Sequence, residues 1–412
     1  MNVLVVNAGS SSLKYQFIDT ATGNVSCKGI CERIGSEGSL IEHKIGDQKI
    51  VNVTPMPNHS VAMKIVVDTL TDSKIGCIKD VSEIEAIGHR IVHGGPYFFE
   101  SCLITPEVLD KLRLCVDLAP LHTPAHIMGI EGCTAVMPNT PQVVVFDTAF
   151  HQTMPAKAYH YPISKDLADQ YKIRRYGFHG SSHRFVSGIM NEILAKEGKT
   201  GDTKIVTCHI GNGSSISAVR GGKCVDTSMG FTPLDGIEMG TRCGSIDPAI
   251  VTFLMNKTGW TADQMDSYLN KKCGFLGTTG YSDSRDLESA VAAGPDAKNE
   301  NGPSYEDAEL ATSVLFYQIK KYIGAYTAAM NGLDAVVFTA GLGENNPRLR
   351  EMVCTDMEYF GIKINKELND KMLRQSNIVK LSTDDSKVAV YLIPTNEELV
   401  IARDTAAIVG AN

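Results

Sequence analysis

The 412-residue chain contains no G-x-x-x-x-G-K-[ST] segment, which excludes a Walker-type phosphate loop. Gly341-Leu342-Gly343 follows a strand-like run but lacks the third glycine of the dinucleotide fingerprint, so a Rossmann-bound cofactor is disfavoured. There is no H-E-x-x-H and no C-x-x-C. The 11 cysteines are odd in number and irregular in spacing, with Cys27 and Cys31 the closest pair. They read as free thiols of a reducing compartment, not as a disulfide framework or metal site. A basic surplus is also missing: the formal net charge is −8, which weighs against a nucleic-acid partner. No run approaches the roughly 18 apolar residues of a membrane-spanning helix. The opening Met1-Asn2-Val3-Leu4-Val5-Val6-Asn7 has no basic segment and too short an apolar run for a secretion signal. The expectation is a cytoplasmic protein with no membrane partner.

A composition of 43% hydrophobic and 21% charged residues is that of a globular protein, and the length suggests two or three domains. Short apolar runs repeatedly end in small-residue turns. Val3–Val6 ends at Asn7-Ala8-Gly9-Ser10-Ser11-Ser12, after which Leu13–Ile18 resumes the alternation of a strand. Lys204–Ile210 ends at Gly211-Asn212-Gly213-Ser214-Ser215, Gln142–Phe146 at Asp147-Thr148, and Ala335–Thr339 at Gly341-Leu342-Gly343-Glu344. Ile84–His93 leads into Gly94-Gly95-Pro96. The Asn-x-Gly-Ser-like letters at Asn7 and Asn212 lie about half a chain apart and hint at an internal duplication, one hairpin per domain. A long helix is expected after Ser304-Tyr305-Glu306-Asp307, which has the form of a capping box, and it should stop at Asn331-Gly332. Gly294–Ser304 reads as a polar loop. Strands alternating with helices imply an α/β protein with mixed sheets.

Several of these turns carry groups suited to phosphate. At Val3–Lys14, backbone N–H groups of small residues can wrap an anion, with Ser10 and Ser12 as further donors and Lys14 as a point charge; a plain serine-rich hairpin is the other reading. Gly341–Asn345 brings backbone and a helix start within reach of a nucleotide, or is simply a tight strand-to-helix turn. Arg242, between Gly240 and Gly244, is expected on mobile, exposed backbone, either as a surface charge or as a fork for phosphoryl oxygens. All 11 histidines precede residue 210, and His89, His93, His122 and His179 stand beside Gly, Pro or Arg. Such neighbours suit loops at a cleft, although a satisfied core or surface histidine is the commoner case. Asp147 closes an apolar strand and could serve metal-bound water, a nucleophile or a helix cap. Glu397 and Glu398 could complement a helix dipole or reach Mg²⁺.

Taken together, NAGSSSLK (7–14), GHRIVHGG (88–95), LAPLH (118–122), VFDTAFHQTMP (145–155), YGFHGSSH (176–183), HIGNGS (209–214), DTSMGFTPLDGIEMGTRCGSIDP (226–248), FTAGLGEN (338–345) and PTNEEL (394–399) resemble the acetate kinase family from one end of the chain to the other. The resemblance implies two related actin-like (ribonuclease H-like) domains of the actin, Hsp70 and sugar-kinase superfamily. Each would have a mixed five-stranded sheet flanked by helices, with the active site in the cleft between them. Residues 1–150 with about 397–412 would form the acyl and phosphate side. Residues about 151–396 would bind nucleotide and mediate a homodimer. The implied reaction is reversible transfer from ATP to acetate, giving acetyl phosphate and ADP by direct in-line displacement.

Roles follow by position. Asn7 and Glu397 would hold Mg²⁺, partly through water, and Mn²⁺ can substitute. Ser10, Ser12 and Lys14 would line the phosphate path, and Arg90 would grip the acetate carboxylate. Asp147 would be the catalytic acidic residue. His179 and Arg242 would stabilise the phosphoryl group in transit, with His122 nearby. His209, Ile210, Gly211, Asn212 and Gly213, then Asp283, Ser284 and Arg285, then Gly341, Leu342, Gly343, Glu344 and Asn345 would bind ATP. Val92, Leu121, Phe178 and Pro233 would line the acyl pocket, where valine at 92 favours acetate over propionate. The chain departs from the family at Cys243 and Ser245, where Ser and Asp are usual, and at Ser284 and Thr123; these bear on nucleotide preference and loop closure. Rival readings are a propionate or other short-chain carboxylate kinase, a non-catalytic ATP-binding switch, and a histidine-based metal hydrolase.

Overall fold

A computed structural model describes residues 1–297, 301–373 and 377–411 of the chain, so residues 298–300 of the expected Gly294–Ser304 loop lie outside the described residues. It divides into two units, Met1–Phe150 with Asn396–Asn412, and His151–Thr395.

Unit 1 is built on eight strands: β1 (Asn2–Gly9), β2 (Ser12–Asp19), β3 (Val25–Glu32), β4 (Leu40–Ile45), β5 (Gln48–Val53), β6 (Ala86–Ile91), β7 (Cys102–Leu103) and β8 (Gln142–Phe146). Their order is β5-β4-β3-β2-β1-β6-β8-β7. Strands β1 to β5 form an antiparallel meander, and β1, β6 and β8 run parallel. Strand β8, Gln-Val-Val-Val-Phe, is buried throughout, as suits a parallel strand covered on both faces. Helix His59–Leu70 lays Ala62, Met63, Val66, Val67 and Leu70 into one core with Leu4, Leu13 and Phe17. The C-terminal helix Glu397–Gly410 crosses β6 at Gly88, where a Cβ would stand 2.4 Å from Thr405 Oγ1; only glycine admits that approach. Because strand side chains alternate, Arg90 shares the face of Gly88 and meets the start of this helix.

Unit 2 is built on β9 (Lys204–Ile210), β10 (Ser214–Arg220), β11 (Lys223–Thr227), β12 (Ala335–Thr339), β13 (Val379–Lys380) and β14 (Ala389–Leu392), ordered β11-β10-β9-β12-β14-β13. Again three strands are antiparallel, β9 to β11, and three parallel, β9, β12 and β14. Helix Tyr305–Met330 packs Ala311, Leu315, Ile319 and Ile323 into the same core as Val206, Ile216 and Phe338. Ser304 accepts from Asp307 N at 3.1 Å, and the helix ends at Asn331 in the left-handed region.

The order β3-β2-β1-β6-β8 matches β11-β10-β9-β12-β14 in sequence and direction, so the duplication is real at the level of topology. Two expectations need correction. The sheets are eight- and six-stranded, because β4, β5, β7 and β13 extend the common five at the edges. The letters that suggested the repeat are also out of register. Asn7 lies within β1, opposite Lys14, and the first turn is only Ser10-Ser11; Asn212 sits at the apex of a three-residue turn. Among the described residues, no helix is long and apolar enough to cross a membrane.

Candidate active site

In unit 1 the charged groups gather at the carboxyl ends of the parallel strands. Arg90 near the end of β6 faces Asp147, the residue after β8. Arg90 Nε donates to Asp147 Oδ1 at 3.1 Å and Nη2 to Oδ2 at 2.7 Å, a bidentate pair with Asp147 only 2% exposed. Asp147 is thus the partner of Arg90. The Asp147 charge, with Glu397 and Glu398 behind it, pushes the Arg90 guanidinium's pKa up despite burial. Glu397 stands in the first turn of the C-terminal helix. Its Oε1 is buried without a hydrogen-bond partner among the described residues, and burial pushes its carboxyl up to about 7. Asn7, Lys14 and Glu398 line one small cavity of about 220 Å³. Ser10 and Ser11 form the exposed hairpin turn beyond it.

The histidines of unit 1 are mostly structural. His89 and Gln142 Oε1 are 2.7 Å apart, and His93 Nδ1 accepts from Gly95 N at 2.9 Å. Among the described residues no group of three or more His, Cys, Asp or Glu could hold an ion. His122 lies at the exposed start of helix Thr123–Val136, and its neighbour on that helix, His126, accepts from Val92 N at 3.3 Å. Val92 is half-buried, whereas Leu121 is 68% exposed.

In unit 2 the segment Tyr176–Gly180 delivers His179 in the left-handed region, φ +59°, at the start of helix Gly180–Lys196. Its ring stacks on His209 with centroids 4.2 Å apart. His179 Nδ1 lies 2.8 Å from Ser215 Oγ, Ser215 Oγ lies 2.7 Å from His183 Nε2, and His183 Nδ1 lies 2.7 Å from Thr207 Oγ1. Each proton position in this line sets the next, and burial holds the His183 pKa far below its usual value, hence neutral. His209 Nδ1 is 2.7 Å from Ser182 Oγ. A Cβ on Gly213 would lie 3.3 Å from His179 Nε2 and 3.5 Å from Arg242 Nη1, so the imidazole and the guanidinium converge on that turn.

The Arg242 loop is neither mobile-looking nor open, contrary to expectation. Its backbone is bonded on both sides, Cys243 N to Leu269 O at 3.1 Å and Cys273 N to Thr241 O at 3.0 Å. Gly244, φ +68°, leaves no room for a side chain, since a Cβ would stand 2.7 Å from Gly236 O. Arg242 Nη1 donates to Pro233 O at 3.3 Å and faces Met239 Sδ at 3.6 Å. Among the described residues no carboxylate is paired with it, and burial lowers its pKa. The charge is positioned, partly desolvated and unmet.

A larger cavity of about 1240 Å³ in the same unit is lined by Asn212, Asp283, Ser284, Arg285, Gly341, Leu342 and Asn345. Of the expected nucleotide residues, His209, Ile210, Gly211, Gly213, Gly343 and Glu344 stand outside its lining. Ile210 is fully buried, and Glu344 Oε1 instead accepts from Ala340 N at 2.8 Å and Thr395 N at 3.2 Å, tying the loop after β12 to the segment after β14. Arg285 folds back onto Asp283 at the start of helix Ser284–Ala293.

A model of the acetokinase family matches residues 2–403. The chain is 53% identical over 411 residues to an acetate kinase of Thermoanaerobacter pseudethanolicus and 53% identical over 411 residues to one of Thermotoga maritima, with 99% of each chain covered. The chain belongs to the acetokinase family. Among solved structures, Porphyromonas gingivalis acetate kinase aligns with a TM-score of 0.93 at 45% identity, and a propionate kinase from Francisella tularensis with 0.88 at 38%, each covering 99% of both chains. Acetokinase membership makes the chain an enzyme, a phosphotransferase with a carboxyl acceptor and ATP as donor.

Within that family frame, sequence reading missed the groups behind the expected ones. His183 lies inside a quoted motif and Ser215 ends the quoted turn Gly211–Ser215, yet single letters did not show that they hold the His179 ring. Glu288 and Arg348, which line the larger cavity and stand 3.6 Å apart, belong to no turn motif. His126 could have been found from its i, i+4 spacing to His122.

Proposed function

We propose that this chain is an acetate kinase that moves the γ-phosphoryl group of ATP to acetate in one in-line displacement, reversibly. The observation that carries the chemistry is Arg242: a half-buried guanidinium with no carboxylate partner among the described residues, aimed with His179 at one glycine turn. Phosphoryl transfer needs little covalent help, but it needs alignment and fixed positive charge at the equatorial oxygens. A carboxylate is already nucleophilic at neutral pH, so no strong base is required. His179 and Arg242 would donate to the transferring group, and the Ser215–His183 line would hold the imidazole in place. Arg90 offers acetate the side of its fork that Asp147 does not occupy, and Asp147 keeps that fork from turning. Val92, Leu121, Phe178 and Pro233 would surround the methyl group. The nucleotide would lie against Asn212, Asp283–Arg285 and Gly341–Asn345.

The unpartnered Glu397 Oε1 fits a divalent cation, which would offset the burial that now disfavours its charge. With Asn7 as second contact and the remaining positions left to water, the sparse donor set suits Mg²⁺, which keeps several waters. The ion would neutralise phosphate charge when bound. A homodimer is supported by helix Pro248–Thr258. It buries no residue and exposes Ile250 and Phe253, with Ile246 just ahead of it. A reducing cytoplasm agrees with the 11 free cysteines.

The test is an acyl-hydroxamate assay with acetate, propionate and butyrate, each with ATP and Mg²⁺. Acetate should react fastest and propionate more slowly. Absence of acyl phosphate with every acid overturns the reading, and faster turnover of propionate replaces acetate with the longer acid.

A further inference from the structure

The two groups assigned to the transferring phosphoryl come from segments far apart in sequence, His179 before one helix and Arg242 in a loop. A third segment, Thr227–Gly236, runs between them, and two side chains bind it to its neighbours. Arg175 stands four residues before His179. Its Nη1 donates to the carbonyls of Thr227 at 3.0 Å, Ser228 at 2.8 Å and Met229 at 3.2 Å, and to Asp235 Oδ2 at 3.3 Å. The backbone continues this seam, with Tyr176 N donating to Gly230 O at 3.0 Å. Asp235 answers from the other end of the segment. Its Oδ1 accepts from Ser245 Oγ at 2.5 Å, three residues after Arg242, and Ser245 N donates to Gly236 O at 2.8 Å. Tyr161 Oη donates to Asp235 Oδ2 at 3.4 Å while accepting from Phe231 N at 3.1 Å. The middle of the segment supplies Pro233 O, the carbonyl that receives Arg242 Nη1.

We infer that Asp235 is a positioning residue for phosphoryl transfer: its carboxylate, bridged to Arg175 on one side and Ser245 on the other, fixes the distance between His179 and Arg242. The inference rests on the roles proposed above for those two residues. Asp235 touches neither substrate in this scheme. A carboxylate is needed because one group must accept simultaneously from a guanidinium, a phenol and a serine hydroxyl, and its charge offsets Arg175. Removing that charge leaves Arg175 on three neutral carbonyls and frees Pro233 O to drift from Arg242. Misplacement of a catalytic group by about 1 Å costs on the order of 10²-fold in rate.

The variant Asp235→Asn keeps shape and one acceptor. It should lower kcat about 10²-fold and leave the KM for ATP within about threefold, because no residue of 227–245 lines the larger cavity of unit 2. Asp235→Glu should recover part of the loss. The deciding measurement is the double variant. In an Arg242→Ala background, Asp235→Asn should cost less than about threefold, since its effect acts through the missing arginine. A full further 10²-fold loss there, or an Asp235→Asn kcat within twofold of the parent, overturns the inference while acetate kinase activity stands. Should Asp235→Asn be unfolded, Ser245→Ala removes the same link from the other side and should lower kcat with KM for ATP held; no effect on kcat overturns the inference. Absence of acyl phosphate with the parent protein is the separate failure of the functional reading.

Discussion

Arg90, on a strand of unit 1, and Arg242, on a loop of unit 2, keep opposite company although their units share one sheet topology. In unit 1 the arginine is paired bidentately with Asp147, and further carboxylates stand behind it. In unit 2 the arginine meets a carbonyl and a thioether. The first is charge already balanced, suited to holding a substrate in one orientation. The second carries an unpaired charge at a desolvation cost, which a bound anion would offset. Duplication has preserved the strands and divided the electrostatics.

The largest expected effect breaks the comparison at its unbalanced end. Arg242→Ala should lower kcat by about 10³-fold or more while the KM for ATP changes little, and Arg242→Lys should restore only part, because a point charge cannot reproduce the fork. An unchanged kcat would show that the unmet charge serves another purpose. Asp147→Asn attacks the balanced end. It leaves Arg90 largely buried without its counter-charge, so stability should fall by about 3 kcal/mol, measured by urea denaturation, alongside a loss of turnover. If stability holds and only turnover falls, Asp147 is a reacting group first and a partner second. Smaller still is Val92→Ala, which should improve propionate relative to acetate by about tenfold in kcat/KM, the scale of one methylene. A ratio that does not move would exclude Val92 from the acyl pocket.

How much of this could be read from letters differs between the two units. Strands such as Gln142–Phe146 and Ala335–Thr339 were legible because buried parallel strands are continuously apolar. Gly341 and Asn212 were legible as turn residues because small residues at strand ends mark where the chain leaves a sheet, and both line the larger cavity of unit 2. The edge strands β4 and β5 escaped, since half-exposed strands carry mixed residues such as Gln48–Val53. The Arg242 loop was misjudged because glycine signals either freedom or close approach, and only the surrounding backbone tells which. Asp147 was found by its position after a strand, but its bond to Arg90 spans 57 residues, and no local pattern encodes such a pairing.

The smallest effect sharpens the comparison, because unit 2 does contain a carboxyl close in sequence to its arginine. Glu238 lies four residues before Arg242 and is 6% exposed, yet its Oε2 has no hydrogen-bond partner among the described residues. Burial pushes its pKa up to about 7, with no cation contributing, and burial alone shifts Arg242. The two are neighbours in sequence and do not form the pair that unit 1 makes. A carboxyl raised from its ordinary 4.5 to about 7 on folding binds its proton more tightly in the folded chain. Its contribution is therefore favourable below about pH 4.5 and is lost as pH rises through about 7. Glu238→Gln removes that dependence. Calorimetry should find parent and variant equal near pH 4, and the variant higher in Tm by roughly 2–4 °C near pH 8. A parent that is more stable than the variant at pH 8 would mean that Glu238 is ionised and paired after all. Unit 2 would then balance its charge much as unit 1 does, and the contrast between the two arginines would fail.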